Sequence, residues 1–381
     1  LSSRTAQPAD SRRPRRPRAA RRFWTRLSDG LEAQQLWNQF RAEARSGYEF
    51  YSQDIDLGDR KKRRGIGWSL RVASAWFWAI VMKLSPSRRV VLVLALFLSW
   101  MGDIQFKVRD TEIDLDFRGL AFLLLLVLLV LELADRVAMK RDLQIARDIQ
   151  RWLAPQEPPR VPGVDIAFTT IPANTVSGDY YDAFLLDDDG RRLLLVVADV
   201  AGKSVPAALL MASLQACLHS CARDFDGPGP LMARLNEFAC ERSLDGQRFT
   251  TVFLAELDVE TRMLHYINAG HNLPALRRAD RSIERLEAGG LPLGVARHGQ
   301  YESGTTKLEP GDLLFVFSDG LVDATDQAGA EFGDARVIDV VSGLGGESAD
   351  AAMRAVIETA DRFSGDVPRS DDITCLALRI L

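Results

Sequence analysis

Three strongly apolar runs in this chain each meet an aspartate at one end, and that pattern narrows the folds open to it. Leu193-Leu-Leu-Val-Val-Ala198 closes on Asp199, and Leu313-Leu-Phe-Val-Phe-Ser318 closes on Asp319. Asp371 and Asp372 stand directly before Ile373-Thr-Cys-Leu-Ala-Leu-Arg-Ile380. A further aspartate, Asp179, sits in Val176-Ser-Gly-Asp-Tyr-Tyr-Asp182. Short apolar runs of this length bounded by turn residues read as buried strands. A carboxylate at the end of a buried strand is costly unless cations or hydrogen bonds compensate it. Carboxylates and carbonyls held at rigid positions form the donor set of hard divalent cations.

The rest of the C-terminal half follows the same logic. Strands are predicted over 164–171, 180–186, 192–198, 250–257, 263–268, 312–318 and 373–380. Helices are predicted over 206–222, 229–243 and 347–363. Strands gathered at both ends of a domain, with helices between, predict antiparallel sheets covered by helices, an α+β fold. Gly202 permits a tight turn after Asp199, and Pro206 suits the first turn of the helix that follows. That helix start favours an anion nearby, and Lys203 adds charge or simply meets solvent. His271, in Asn268-Ala-Gly-His-Asn272, reads as a hydrogen-bonded turn residue before it reads as a metal ligand. The four cysteines form no Cys-x-x-Cys pair, so they are expected to be reduced, mostly buried thiols.

Ahead of this half, two apolar runs dominate. Val90–Gly102 is bounded by Arg88-Arg89 and Asp103, and Gly119–Ala134 contains twelve uninterrupted apolar residues, Leu120–Leu131. Both fall short of the ~20 residues of an ordinary spanning helix. Snorkelling by Arg118 and local bilayer thinning offset part of the difference. A Leu run without a polar face favours a membrane over a hairpin buried in a soluble domain. Arginines before the first run and Arg136, Lys140 and Arg141 after the second predict both outer ends on the cytoplasmic side. Between the runs, Ile104–Phe117 alternates apolar and polar residues around a polar turn, a small hairpin too short to be a ligand-binding domain. Val72–Met82, with Trp68, Trp76 and Trp78, fits an interfacial helix. Residues 1–30 carry nine Arg against two Asp. Their Arg-Pro runs predict a disordered basic tail, solvated or touching anionic lipid or nucleic acid. A charged helix over 134–153, stopped by Pro155, reads equally as a solvated connector or a dimerising coiled coil.

The chain therefore divides at this level into a basic segment (1–65), a membrane region (66–134), a linker helix (135–154) and a catalytic domain (155–381). Its 381 residues at 47% hydrophobic composition allow for such a division.

Taken together, Ile149-Gln…Leu153-Ala-Pro155, Pro172-Ala…Val176-Ser-Gly-Asp-Tyr-Tyr-Asp182, Asp199-Val-Ala-Gly-Lys203…Pro206-Ala-Ala-Leu209, Asn268-Ala-Gly-His-Asn272, Gly290-Leu-Pro-Leu-Gly294, Phe317-Ser-Asp-Gly-Leu-Val-Asp-Ala324 and Ser370-Asp-Asp-Ile-Thr374 resemble the SpoIIE/RsbU branch of the PPM metal-dependent protein serine/threonine phosphatases. The resemblance covers about 145–381. It implies an α-β-β-α sandwich behind the two-helix transmembrane region, with two Mn²⁺ or Mg²⁺ ions at one edge. It implies that Asp199 bridges both metals, that the Val200 carbonyl adds a ligand, and that Asp179, Asp319 and Asp371 complete the shells. Asp372 is the lesser ligand candidate, and Asp182 and Asp323 would orient the site. Two departures stand out. Ser204 replaces the usual glycine after the motif's lysine. Ala201 stands two positions after Asp199, where eukaryotic-type members carry a histidine, so no side chain is assigned to leaving-group protonation and metal-bound water is the candidate.

The reading that follows is a hydrolase of the inner membrane, multi-pass, with its catalytic domain cytoplasmic and a phosphorylated STAS-type anti-anti-sigma protein as partner. A second copy of the chain, joined through 134–153, is a further partner. A catalytically idle phosphoprotein-binding scaffold of the same fold is the rival, opposed by the presence of all four aspartates. A nuclease draws support only from the Arg-rich tail, which lacks aromatics at base-stacking spacing, so nucleic acid is not expected.

Overall fold

Alternation along the strands sets the architecture, because each strand must bury one face against a facing sheet and the other against helices. The computed structural model describes residues 78, 81–82, 84–102, 104–108, 111–202, 205–242 and 248–381. The expected basic tail, most of the interfacial helix, Lys203 and Ser204 lie outside these residues. The chain divides into two units, Leu1–Asp135 and Arg136–Leu381.

In the first unit, helix α1 (Pro86–Met101) is followed by the antiparallel pair β1 (Ile104–Val108) and β2 (Thr111–Leu115), in register from Ile104 opposite Leu115. Helix α2 then runs unbroken over Phe117–Leu153. The second apolar run and the charged linker are thus one helix, because no Gly or Pro interrupts 120–153 and Pro155 is the first breaker. Arg88 reaches both Glu132 at 3.0 Å and Asp135 at 2.7 Å, which sets the start of α1 beside residues 132–135 of α2. The apolar side chains Leu120, Phe122, Leu123, Leu129 and Leu133 are exposed. α2 is long and apolar enough to cross a membrane. A second apolar helix over 205–224 passes the same test, but it packs in the core described next.

The second unit holds two sheets. One runs β10 (Gly289–Gly290), β7 (Met263–Ala269), β6 (Thr250–Asp258), β5 (Arg192–Val200), β4 (Asp179–Leu185), with β11 (Gly304–Lys307) also on β7. The other runs β3 (Val164–Ile171), β13 (Ile373–Ile380), β12 (Leu313–Phe317), β8 (Ala275–Arg277), β9 (Ile283–Arg285). All pairings are antiparallel except β10 with β7. Leu193, Leu195 and Val197 meet Leu314, Val316, Leu376 and Leu378 in the layer between the sheets. Leu194, Val196 and Ala198 turn the other way, onto α3 (Val205–Cys221) and α4 (Pro228–Arg242). Phe315, Phe317, Cys375 and Ala377 face α6 (Gly333–Gly343) and α7 (Ala349–Ser364), and α5 (Asp319–Val322) follows β12 directly. The result is the expected α-β-β-α sandwich. The seven anticipated strands are all present. Absent from the expectation were β8–β11 and α6, elements of two to four residues or with only two buried positions, Val337 and Val341. Elements that short carry too few residues for a periodicity to show.

Candidate metal-dependent active site

Strand register assembles the site. Asp179 lies directly opposite Asp199 in the β4–β5 pair, and Thr251 of β6 lies opposite Asp199 on its other side. The alternation that sends Leu195 and Val197 between the sheets sends Asp199 the same way, and Tyr181 and Ala183 fix the same orientation for Asp179. Two carboxylates therefore share the inter-sheet face at one edge of the sandwich.

The second sheet adds the remaining aspartates. Ser318 and Thr374 bond reciprocally: the Ser318 amide donates to the Thr374 carbonyl at 2.9 Å, and the Thr374 amide donates to Ser318 Oγ at 2.9 Å. Ser318 Oγ donates to the Asp372 carbonyl at 3.0 Å. This stitch places Asp319 beside Asp371 and Asp372. Gly320 permits the approach, since a Cβ there would overlap the Asp372 carbonyl oxygen. Asp372 is committed to backbone. Its Oδ1 accepts from Ala173 N at 2.7 Å and its Oδ2 from Gly178 N at 3.1 Å, which ties the two sheets together next to Asp179. Asp371 Oδ1 accepts from the Asp372 amide at 3.0 Å.

Burial makes Asp179 the strained member. It is 5% exposed, and its Oδ2 is buried with no hydrogen-bond partner among the described residues. Desolvation pushes its carboxyl well above the usual range, and the neighbouring Asp199 charge pushes it further. Burial and the same Asp179 charge raise the Cys375 thiol, which stays protonated and inert. An orphaned carboxylate oxygen beside a second carboxylate is a site that a cation satisfies.

Gly178 supplies a cradle for one. A Cβ on it would stand 3.0 Å from the Val200 carbonyl oxygen, 3.5 Å from the Gly202 carbonyl oxygen and 3.6 Å from Asp199 Oδ1. Carboxylate and carbonyl oxygens with neither thiolate nor imidazole among them suit Mg²⁺ or Mn²⁺. Among the described residues no three His, Cys, Asp or Glu side chains converge into a closed metal cage. The donors present are thus spread along the edge, and carbonyls are among them.

Asp182 falls elsewhere than expected, and His271 falls where expected. Asp182 points to the helix-covered face, where its Oδ2 meets Tyr180 Oη at 2.8 Å and His219 Nε2 at 2.7 Å. It sits three residues from Asp179, and the period of two sends it to the opposite side of the sheet, so it does not orient the site. His271 is a buried turn residue. Its amide donates to Asn268 Oδ1 at 2.7 Å, its Nδ1 lies 3.0 Å from Thr251 Oγ1, and burial pushes it down to about 4, so the ring is neutral near pH 7.

The Ile149-Gln…Leu153-Ala-Pro155 motif at the end of α2 joins the domain beside the site, through contacts that the sequence did not specify. Gln150 grips the Ser177 backbone twice, donating from Nε2 to the carbonyl at 2.6 Å and accepting from the amide at Oε1 at 2.9 Å. Gln215 of α3 donates to the Leu153 carbonyl at 2.7 Å. Ile145, Ile149 and Trp152, the apolar positions of this part of the helix, are exposed. The contact with the domain is polar, so an apolar-periodicity reading did not see it.

With this geometry in hand, comparison with known proteins is informative. The family Stage II sporulation protein E (SpoIIE) matches residues 189–381. Phosphoserine phosphatase RsbU of Bacillus subtilis (strain 168) is 31% identical over 193 residues, covering 50% of this chain and 56% of that protein. The chain spans about half the length of the curated relatives it matches. Among solved structures, the RsbU and RsbW domains of a Mycobacterium tuberculosis protein superpose with a TM-score of 0.52 at 28% identity, over 60% of this chain and 62% of that one. The SiaA-PP2C domain of Pseudomonas aeruginosa superposes with a TM-score of 0.58 at 22% identity, over 65% and 98%, and shares the fold.

Proposed function

The chain belongs to the SpoIIE family, and from that premise we propose that it is a metal-dependent phosphatase releasing phosphate from phosphoserine or phosphothreonine in a regulatory protein. The observation that carries this reading is Asp179, a buried carboxylate with an unpartnered oxygen facing Asp199 across one strand pair. Asp179, Asp199, the Val200 carbonyl, Asp319 and Asp371 would hold two Mn²⁺ or Mg²⁺ ions. Such ions, when bound, offset charge on phosphoryl oxygens and make water nucleophilic near neutral pH. The chain's own residues prepare the place. Asp372 holds the Ala173 and Gly178 amides, so the loop before β4 cannot drift from the loop before β13. Gly178 leaves room for the oxygens around it, and Ser318, next to Asp319, bonds the Asp372 carbonyl. Neutral His271 stands behind Thr251 and brings no competing charge.

The relatives support a protein substrate. RsbU is named a phosphoserine phosphatase, and the Mycobacterium tuberculosis neighbour carries RsbU and RsbW domains in one chain. A small phosphorylated STAS-type partner fits that setting. The purified full chain is expected to release phosphate from such a protein with Mn²⁺ and not after chelation. Stoichiometric binding without turnover, at saturating Mn²⁺, would instead establish the idle scaffold.

A membrane anchor through α1 and α2 belongs to the same reading. The 19 residues of 117–135 span roughly 28 Å as a helix, close to the hydrocarbon thickness of about 30 Å. The Arg88 pairs with Glu132 and Asp135 bring the two flanks to one level, as a hairpin crossing with both ends cytoplasmic requires. On intact cells, a membrane-impermeant thiol reagent is expected to label Glu112→Cys and to leave Ser28→Cys unlabelled. The reverse pattern overturns the orientation.

A further inference from the structure

The polar end of α2 does more than clasp the domain. Between it and the strand edge lies a cavity of about 510 Å³, whose lining includes Arg147, Arg151, Thr170, Ser177, Tyr181 and Asp179. Arg147 and Gln150 are three residues apart and share a helix face. The two hydrogen bonds between Gln150 and Ser177 therefore fix Arg147 over the loop that leads into Asp179. Arg147 Nε is buried and has no hydrogen-bond partner among the described residues. A guanidinium donor buried without an acceptor is as unsatisfied as the Asp179 oxygen across the same cavity.

The two orphans differ in sign: a cation suits the Asp179 oxygen, and an anionic acceptor suits the Arg147 N–H. We propose that Arg147 is a substrate-binding residue that receives the phosphoryl oxygens of a phosphoserine or phosphothreonine side chain in this cavity, a role that rests on the phosphatase reading of the Asp179 edge. A phosphate monoester offers several acceptor oxygens to a planar, permanently charged fork, and Arg binds it in two-point fashion where Lys binds it as a point charge. Arg151, one turn on and more exposed, adds charge at the mouth. The acidic edge alone repels a phosphate, so a cation fixed on the facing helix orients the group toward Asp179 and away from solvent. α2 then contributes a residue to the site, and a domain lacking that turn of helix would bind substrate more weakly.

The test is calorimetric titration of inorganic phosphate into the full chain with Mg²⁺ present. Arg147→Ala is expected to weaken phosphate binding at least about 10-fold and to raise KM for a phosphoserine peptide by a similar factor, while Arg147→Lys recovers part of the loss. Arg141→Ala, an exposed change on the same helix, leaves both unchanged. Equal phosphate affinity in wild type and Arg147→Ala overturns the assignment, and so does an equal loss in Arg141→Ala, which would mark a general effect of helix charge. Binding and turnover separate the two readings. A chain that binds phosphate through Arg147 yet hydrolyses no phosphoserine keeps this site and loses the phosphatase assignment. One that hydrolyses phosphoserine with the same KM in wild type and Arg147→Ala keeps the enzyme and loses this site.

Discussion

Asp199→Asn is expected to lower Mn²⁺-dependent phosphate release by more than about 100-fold. Outer partners of metal ligands already cost about 10- to 100-fold when removed, and Asp199 sits nearer the proposed centre than any of them. Asp199 faces Asp179 in the strand register and lies at the Gly178 cradle with the Val200 carbonyl, so one substitution alters the charge of the whole donor set. The fold should survive, because Asn has nearly the same volume and the Asp199 charge works against its buried neighbour. The metal-free variant is therefore expected to melt at or above the wild-type temperature. Added metal gives the second readout. A ligand at 100 times its Kd stabilises by about 2.7 kcal/mol, or roughly 5–10 °C in a domain of this size. Wild type should show that rise with Mn²⁺, and Asp199→Asn should lose most of it. Near-wild-type turnover, or an undiminished thermal shift, would remove Asp199 from the metal site.

Gly320→Ala is expected to damage stability and activity together. Its Cβ would overlap the Asp372 carbonyl oxygen and stand 2.7 Å from the Asp372 carbonyl carbon and 3.1 Å from that of Asp371. Those atoms belong to backbone that cannot yield easily. The Asp372 carboxylate is held by Ala173 and Gly178, and its carbonyl by Ser318 Oγ. Overpacking of this kind costs about 1–3 kcal/mol. The shift it forces falls on Asp319 and Asp371, where a displacement of about 1 Å costs on the order of 100-fold in rate. Gly343→Ala provides the control, since nothing lies within 4 Å of a Cβ at that helical position. Denaturant midpoints and phosphate release measured on both variants separate a steric clash from a general glycine effect. Equal behaviour of the two variants would show that the close approach at Gly320 does not hold the site.

Much of this architecture was legible in local sequence. Runs such as Leu193–Ala198 and Leu313–Phe317 declare buried strands because both faces of each must be apolar. An aspartate ending such a run has few uses that burial does not penalise. The ordered motifs from Ile149 to Thr374 carried the family and the sandwich. What local pattern left open was which side each polar group faces and which distant group it meets. Asp179 and Asp182 share one motif, yet strand parity turns the first between the sheets and the second to His219 and Tyr180 on the helix side. Asp371 and Asp372 are neighbours of equal charge. Asp372 becomes a clamp only because Ala173 and Gly178, about two hundred residues earlier, bring their amides to it. Arg147 is one of several charges on the 134–153 helix, and only the Gln150 bonds to Ser177 set which way that face turns. Hydrophobic periodicity is a local signal, set by residues two to four apart. The hydrogen bonds that give these polar side chains their roles join segments far apart in the chain, and only the packed sheets bring those segments together.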